Sequence, residues 1–233
     1  MSELRIKSVT SGYGGVQIIN GVSMQVDQGE IVAVIGRNGV GKTTLMKTII
    51  GDVITASGTL EFGDVDITRL RPSRRAQLGI GYVPQGRGIF SQMTVGANLA
   101  LGQNVGSAAE AHLERAFTYF PVLKKRQLQL AGSMSGGEQQ QLAIARILVG
   151  NPRIILLDEP SEGIQPNIVQ EIGRTIRRLR DEEGLTVVIV EQNLNLIQAS
   201  ADRCVVLDKG TVVAEIGPED LSNPETAKRH LAI

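Results

Sequence analysis

The stretch that most constrains this chain is Gly36-Arg37-Asn38-Gly39-Val40-Gly41-Lys42-Thr43-Thr44. It follows the apolar run Ile31-Val32-Ala33-Val34-Ile35 and precedes Leu45-Met46-Lys47-Thr48-Ile49-Ile50, apolar at helical spacing and closed by Gly51. Strand, glycine loop and helix, in that order, form the context that the pattern G-x-x-x-x-G-K-[ST] requires. Gly36, Gly39 and Gly41 let backbone amides turn inward around phosphate oxygens, and the positive end of the following helix faces the same anion. Asn38 and Thr44 belong to the same cradle. Lys42 can reach the β- and γ-phosphates, and the Thr43 hydroxyl can ligate Mg²⁺. This is a nucleotide-binding loop.

The rest of the chain alternates strand and helix patterns around that loop. Leu4–Val9, Val22–Val26 and Thr59–Phe62 alternate like half-buried strands near the start. A short helix is expected over 71–78, and Ile80-Gly81-Tyr82-Val83 reads as a strand stopped by Pro84. From about 86 to 150 the texture is helical, which predicts an inserted helical lobe. Ile154-Ile155-Leu156-Leu157-Asp158-Glu159 is a buried parallel strand in form, delivering two acids at its C-terminal edge. A helix over 166–183, a second buried strand over 185–191 and a terminal hairpin around Asp208-Lys209-Gly210 follow. The pattern predicts a single α/β domain over 1–233.

Charge narrows the partners. Lys+Arg and Asp+Glu both number 24, so no overall basic field recruits nucleic acid or a membrane surface. The arginine groups 69, 71, 74, 75 and 174, 177, 178, 180 read as solvated helix faces, and the absence of Trp disfavours base stacking. Cys204, the lone cysteine, lies in an apolar run and is expected in the core, compatible with a reducing cytoplasm. No apolar run approaches the roughly 20 residues of a membrane helix, and the N-terminus is no signal peptide. Work at a membrane would therefore go through a partner.

Phosphate loops serve many functions, and the companion motifs decide. Tyr13 in a glycine-rich turn, Gln85 after Tyr82-Val83-Pro84, Met134-Ser135-Gly136-Gly137-Glu138-Gln139, Asp158-Glu159 and Pro160-Ser161-Glu162-Gly163 follow one another in order. Together they resemble the ATP-binding subunits of ABC transporters, over essentially the whole length. The resemblance implies a P-loop ATPase core, a parallel sheet with helices plus an antiparallel β part, carrying an inserted helical subdomain. It implies ATP and Mg²⁺, with Tyr13 stacking on adenine and Thr43, Gln85 and Asp158 around the metal. Glu159 would polarise the attacking water, with Gln85 beside it. Ser135, Gly136 and Gly137 would close over the γ-phosphate bound by a second subunit. Two departures stand out. Glu138 replaces the usual glutamine, and its side chain is expected to point away from the phosphate. Gln192 occupies the place of the switch histidine; His112 and His230 lie elsewhere in the chain. An amide carries no charge and relays no proton, so a histidine restored at 192 is expected to raise hydrolysis modestly.

The Glu191-Gln192-Asn193 switch, Pro84-Gln85-Gly86-Arg87 and Ser135-Gly136-Gly137-Glu138-Gln139-Gln140-Gln141 resemble the importers of branched-chain amino acids and of urea. Gly36-Arg37-Asn38-Gly39-Val40-Gly41 and Glu162-Gly163-Ile164-Gln165-Pro166 tilt the resemblance to a second ATP-binding subunit of a urea importer. That implies transmembrane permease subunits, a paralogous ATP-binding subunit, an external solute-binding protein, no nucleic acid, and a place at the cytoplasmic face of the membrane. A soluble ABC ATPase of repair or translation would resemble tandem or coiled-coil-split cassettes, whereas this chain has one uninterrupted cassette. An inactive regulatory module is disfavoured by the intact Lys42, Asp158 and Glu159.

Overall fold

A computed structural model describes residues 2–103 and 109–231. Strands β1 (Ser2–Tyr13) and β2 (Val16–Asp27) form a hairpin turned by Gly14 and Gly15, both at positive φ. β4 (Thr55–Phe62) pairs antiparallel with β1, and the short β5 (Val65–Asp66) with β4, giving the sheet order β2-β1-β4-β5. These strands are longer than their alternating segments. Register shifts between Ile6 and Val9 and between Val9 and Ser11, with Ser8 at φ 49° and Gly21 at φ 64°, slip the side-chain period and hide the strand ends.

The second sheet carries the site. β3 (Ile31–Ile35), β6 (Ile80–Val83), β7 (Ile154–Asp158), β8 (Thr186–Val190) and β9 (Arg203–Asp208) run parallel in the order β9-β3-β8-β7-β6. β10 (Thr211–Ile216) closes the β9 edge antiparallel. The expected terminal hairpin thus exists, but its first strand is part of the parallel sheet. β3, β7 and β8 are buried at every residue, which is why each reads as an unbroken apolar run.

Helix α1 (Lys42–Ile50) lies between the two sheets. Its Leu45, Met46 and Ile49 pack on Val32, Val34, Leu156 and Val188 and on Leu4, Ile6 and Leu60. α2 (Pro72–Gln77) follows β5. Between β6 and β7 the chain runs through α3 (Val95–Gln103), α4 (Ala109–Tyr119), α5 (Pro121–Lys125) and α6 (Gly136–Leu148). α7 (Pro166–Glu183) joins them on the opposite face, where Ile155, Leu157, Val187 and Ile189 meet Leu142, Val169, Ile172 and Ile176. α8 (Leu194–Ser200) and α9 (Pro224–Leu231) cover the Ala33 and Ile35 side through Ile197 and Leu231. Among the described residues no helix is long and apolar enough to cross a membrane.

One arginine expected in solvent is internal. Arg75 is 2% exposed. Its guanidinium donates to the carbonyls of Thr48 (2.7 Å) and Ile49 (2.6 Å) at the end of α1, and to Leu70 O (2.9 Å) and Thr68 O (3.2 Å). The last carbonyls of a helix lack intrahelical donors, and a cation there also complements the helix dipole. Arg69 likewise donates to Thr55 O (2.9 Å). Cys204 is buried, and burial pushes its thiol up to about 12.

Candidate nucleotide site at the C-terminal edge of the parallel sheet

The loop after β3 has the backbone its glycines predict. Gly36, Gly39 and Gly41 take φ of 151°, 79° and 109°. At Gly36 a Cβ would lie 2.2 Å from the carbonyl oxygen of Leu207, so only glycine lets the loop pass the end of β9. Lys42 is 5% exposed, and its Nζ donates to Gly36 O (2.8 Å) and Arg37 O (3.0 Å) across the loop. Burial depresses its pKa, while Glu159, Asp158 and Glu191 act to raise it. A desolvated ammonium held, among the described residues, by two carbonyls in a loop of inward-turning backbone fits a phosphate anion.

The acids arrive on β7. Asp158 is 1% exposed, and its Oδ1 accepts from Thr43 Oγ1 and its Oδ2 from Tyr82 OH, both at 3.1 Å. Burial raises the Asp158 carboxyl pKa, and burial with the nearby Asp158 charge raises that of Tyr82. A hydroxyl and a buried carboxylate meeting at one point are the hard oxygen donors that fit Mg²⁺. Gln85 is not with them. Its Nε2 donates to Glu159 Oε2 (3.1 Å) and Glu162 Oε2 (3.2 Å), because an amide donor is drawn to these carboxylates.

Glu159 sits at φ 48°, with its N–H donating to Val190 O (2.9 Å). An L-residue in this region is strained and persists only where its surroundings impose it. Gln85 holds one carboxylate oxygen, and Gln192 Nε2 holds the other at 3.3 Å while also donating to Asn38 Oδ1 at 2.6 Å. Gln192 therefore bridges the catalytic candidate and the phosphate loop, two contacts that its residue type alone did not suggest.

Glu191 was missed as a site residue. At 3% exposure it accepts from Gln192 N (2.7 Å), Asn193 N (2.9 Å) and Ser161 N (3.1 Å), tying the segment after β8 to the segment after Asp158-Glu159. Burial raises its pKa against those hydrogen bonds. The signal was present: a carboxylate directly following five wholly buried strand residues must be paired.

Tyr13 closes β1, half-exposed, on the hairpin that lays Ile18 and Ile19 against Gly41. Ser135 caps α6, with its Oγ accepting from Glu138 N at 3.4 Å. The Glu138 carboxylate does not simply point away. It folds back to accept from Ser135 N (3.0 Å) and Ser135 Oγ (2.9 Å), completing a capping box, and Arg126 pairs with its other oxygen at 3.0 Å. At Gly137 a Cβ would lie 2.5 Å from Ile168 Cγ2, so the second glycine serves close packing against α7. Among the described residues no hydrogen bond joins 135–137 to 36–44.

Residues 19–162 match the family described as ABC transporter. The chain is 42% identical over 231 residues to the high-affinity branched-chain amino acid transport ATP-binding protein BraG of Pseudomonas aeruginosa, covering 98% of this chain and 99% of that one. It is 35% identical to the probable branched-chain amino acid transport ATP-binding protein LivF of Archaeoglobus fulgidus, covering 90% and 89%. Against the lipopolysaccharide export system ATP-binding protein LptB of Escherichia coli it is 36% identical, covering 98% and 96%. In structure it is similar to the ADP conformation of MJ1267, an ATP-binding cassette of an ABC transporter, with a TM-score of 0.85 at 27% identity, covering 98% of each chain. A nucleotide-free cassette from an ABC transporter gives a TM-score of 0.84 at 29% identity, covering 97% and 96%. This chain belongs to the ABC transporter family, as an ATP-binding and ATP-hydrolysing subunit of a transporter.

Proposed function

We propose that this chain is one of two ATPase subunits driving a branched-chain amino acid importer. The observation that carries the reading is the end-to-end 42% identity to an amino acid transport ATP-binding protein, joined to phosphate-loop, metal-fitting and carboxylate residues brought together at one edge of the parallel sheet. There the loop amides and Lys42 bind the phosphates of ATP, and the exposed Tyr13 ring offers a face for adenine. Thr43 and Asp158 would hold Mg²⁺, which supplies charge neutralisation on the phosphate oxygens. Glu159 orients the attacking water, held in place from Gln85 and Gln192. Ser135, Gly136 and Gly137 serve the nucleotide of a paralogous second subunit, a role that accords with the absence, among the described residues, of any hydrogen bond from them to their own phosphate loop.

Transmembrane permease subunits need a docking surface, and a groove of about 380 Å³ beside β6 offers one. Ile80, Tyr82, Phe90, Leu101 and Ile147 make it apolar, and Phe90 and Leu101 are exposed. Arg146 lines it with a buried Nη1 that has no hydrogen-bond partner. An apolar permease segment bringing a carboxylate or a helix C-terminus would satisfy that donor and place the chain at the cytoplasmic face of the membrane. A solute-binding protein outside would act through the permeases.

A second reading, urea as the solute, rests on the loop residues Arg37 and Val40 and on Ile164-Gln165. No residue of this site reaches a transported solute, so the test belongs to the assembly. The chain would be purified with the membrane subunits encoded beside it, and ATP-dependent uptake of labelled leucine and labelled urea measured in proteoliposomes, with Lys42→Ala as control. Leucine uptake abolished by K42A is expected. Urea uptake alone would select the second reading, and no membrane partner with no ATP-driven uptake would overturn both.

A further inference from the structure

Three consecutive residues, Gly86, Arg87 and Gly88, take positive φ of 78°, 73° and 62°. Glycine accepts this backbone freely; arginine does not, so contacts of its side chain must hold it there. Arg87 Nη1 donates to Gln139 Oε1 at 2.9 Å, and Nη2 to the carbonyl of Glu162 at 3.3 Å. The same Nη2 lies 2.9 Å from where a Cβ would stand on Gly136, so the guanidinium packs directly over the first signature glycine. Gln139 passes the contact on. Its Nε2 donates to Met134 O (3.1 Å) and Ala131 O (3.3 Å), gathering the turn that leads into Ser135. On the other side, Gln85 is two residues away and holds Glu159 and Glu162.

We propose that Arg87 is a positioning residue that transmits the state of this chain's own nucleotide to the signature turn it offers to the second subunit. The inference rests on the functional reading above and adds the route. Nucleotide reaching Glu159 competes for the carboxylate that now anchors Gln85, and the 85–88 segment moves when that anchor is exchanged. With a glycine on each side, the segment can swivel, and the guanidinium converts the swivel into a pull on Gln139 and on Glu162. Both acceptors are addressed at once through separate nitrogens, a fork that lysine cannot reproduce.

The test uses Arg87→Gly in the full chain, because glycine accepts φ 73° and removes the side chain without opposing the backbone. Hydrogen exchange of peptides spanning 36–44 and 131–140 is followed with and without Mg²⁺ and ATP. In the parent chain both segments are expected to change. In R87G the 36–44 segment should be protected as before, with the dissociation constant for ATP and the melting temperature unchanged, while 131–140 no longer responds. Arg87→Lys should restore only part of the response. A response at 131–140 that survives R87G, or none in the parent, overturns the proposal while leaving the ATPase reading intact. Failure of ATP to protect 36–44 in the parent would overturn the ATPase reading and this inference with it.

Discussion

The residue in the histidine position gives the sharpest prediction. Gln192 donates from one amide nitrogen to Asn38 Oδ1 at 2.6 Å and to Glu159 Oε1 at 3.3 Å. Replacing it with leucine removes one hydrogen bond to a charged acceptor, worth about 1.5–3 kcal/mol. If that energy serves to orient Glu159 in the transition state, hydrolysis at this site falls by roughly 10- to 150-fold. ATP affinity should hold, because on the proposed reading Lys42 and the loop amides bind the phosphates, and Lys42 donates to Gly36 O and Arg37 O rather than to Gln192. Histidine is the instructive variant. An imidazole N–H directs its one hydrogen along a fixed line, whereas the amide NH₂ offers two, so Gln192→His is expected to keep one of the two contacts. The outcome should lie between leucine and the parent. This reverses the expectation drawn from residue type alone, that histidine would accelerate the site. The measurement is single-turnover hydrolysis in the assembled transporter, with the second subunit's catalytic glutamate neutralised, beside equilibrium ATP binding by the isolated chain. A leucine variant at the parental rate, or a histidine variant above it, would refute the reasoning.

Glu159→Gln should keep ATP binding and slow hydrolysis by roughly 10²–10⁴-fold in single-turnover assays, the worth of a positioned acid–base group. Arg75→Ala, which removes a charged donor from four carbonyls around the end of α1, should cost about 3 kcal/mol and lower Tm by roughly 6–12 °C; a loss too small to resolve by denaturant titration would contradict the contacts. Burial raises the carboxyl pKa values of Asp158 and Glu191 above their unfolded values, so the folded chain binds protons more tightly than the unfolded one there. The penalty is full above the folded pKa values and relieved as pH falls through them, so these two groups should make the metal-free chain gain stability on mild acidification. Mg²⁺ beside Asp158 should shrink that gain in thermal melts, and an identical pH dependence with and without Mg²⁺ would speak against a metal there.

The parts of this molecule visible in the sequence are those where one interaction dominates a residue's neighbourhood. β3, β7 and β8 are buried on both faces, so composition alone reveals them. The cap at Ser135 and the ends of α7 at Pro166 and Gly184 are local chemistry, written within a few residues. β1 and β2 were read short because their bulges break the alternation that marks a strand. Arg75 and Arg87 were opaque for a different reason. Each is defined by acceptors far along the chain, Thr48 and Ile49 for one, Gln139 and Glu162 for the other, and nothing beside them in sequence announces a partner. Gln192 lies between these cases: its place was legible, and its bond to Asn38 was not.

The hydrogen bonds within the cleft also explain why half of the site is ready and half is not. Lys42 rests on two loop carbonyls, Thr43 on Asp158, and Gln85 and Gln192 on Glu159. Each is a contact that an incoming phosphate, metal or water can replace, so binding exchanges partners rather than desolvating bare groups, and the cost of assembly is low. The signature turn is arranged otherwise. The Ser135 hydroxyl, which a phosphate would need as a donor, is committed to its own Glu138 at 2.9 Å, and that carboxylate is partly neutralised by Arg126 at 3.0 Å. On the proposed reading, a second subunit's phosphate would have to turn the hydroxyl away from Glu138 and approach a carboxylate while doing so. Glutamine at this position would offer no such repulsion. On the proposed reading, the site around Lys42 can therefore load on its own, while closure against a second subunit would carry an electrostatic penalty that the amides at the start of α6 and Arg126 must offset.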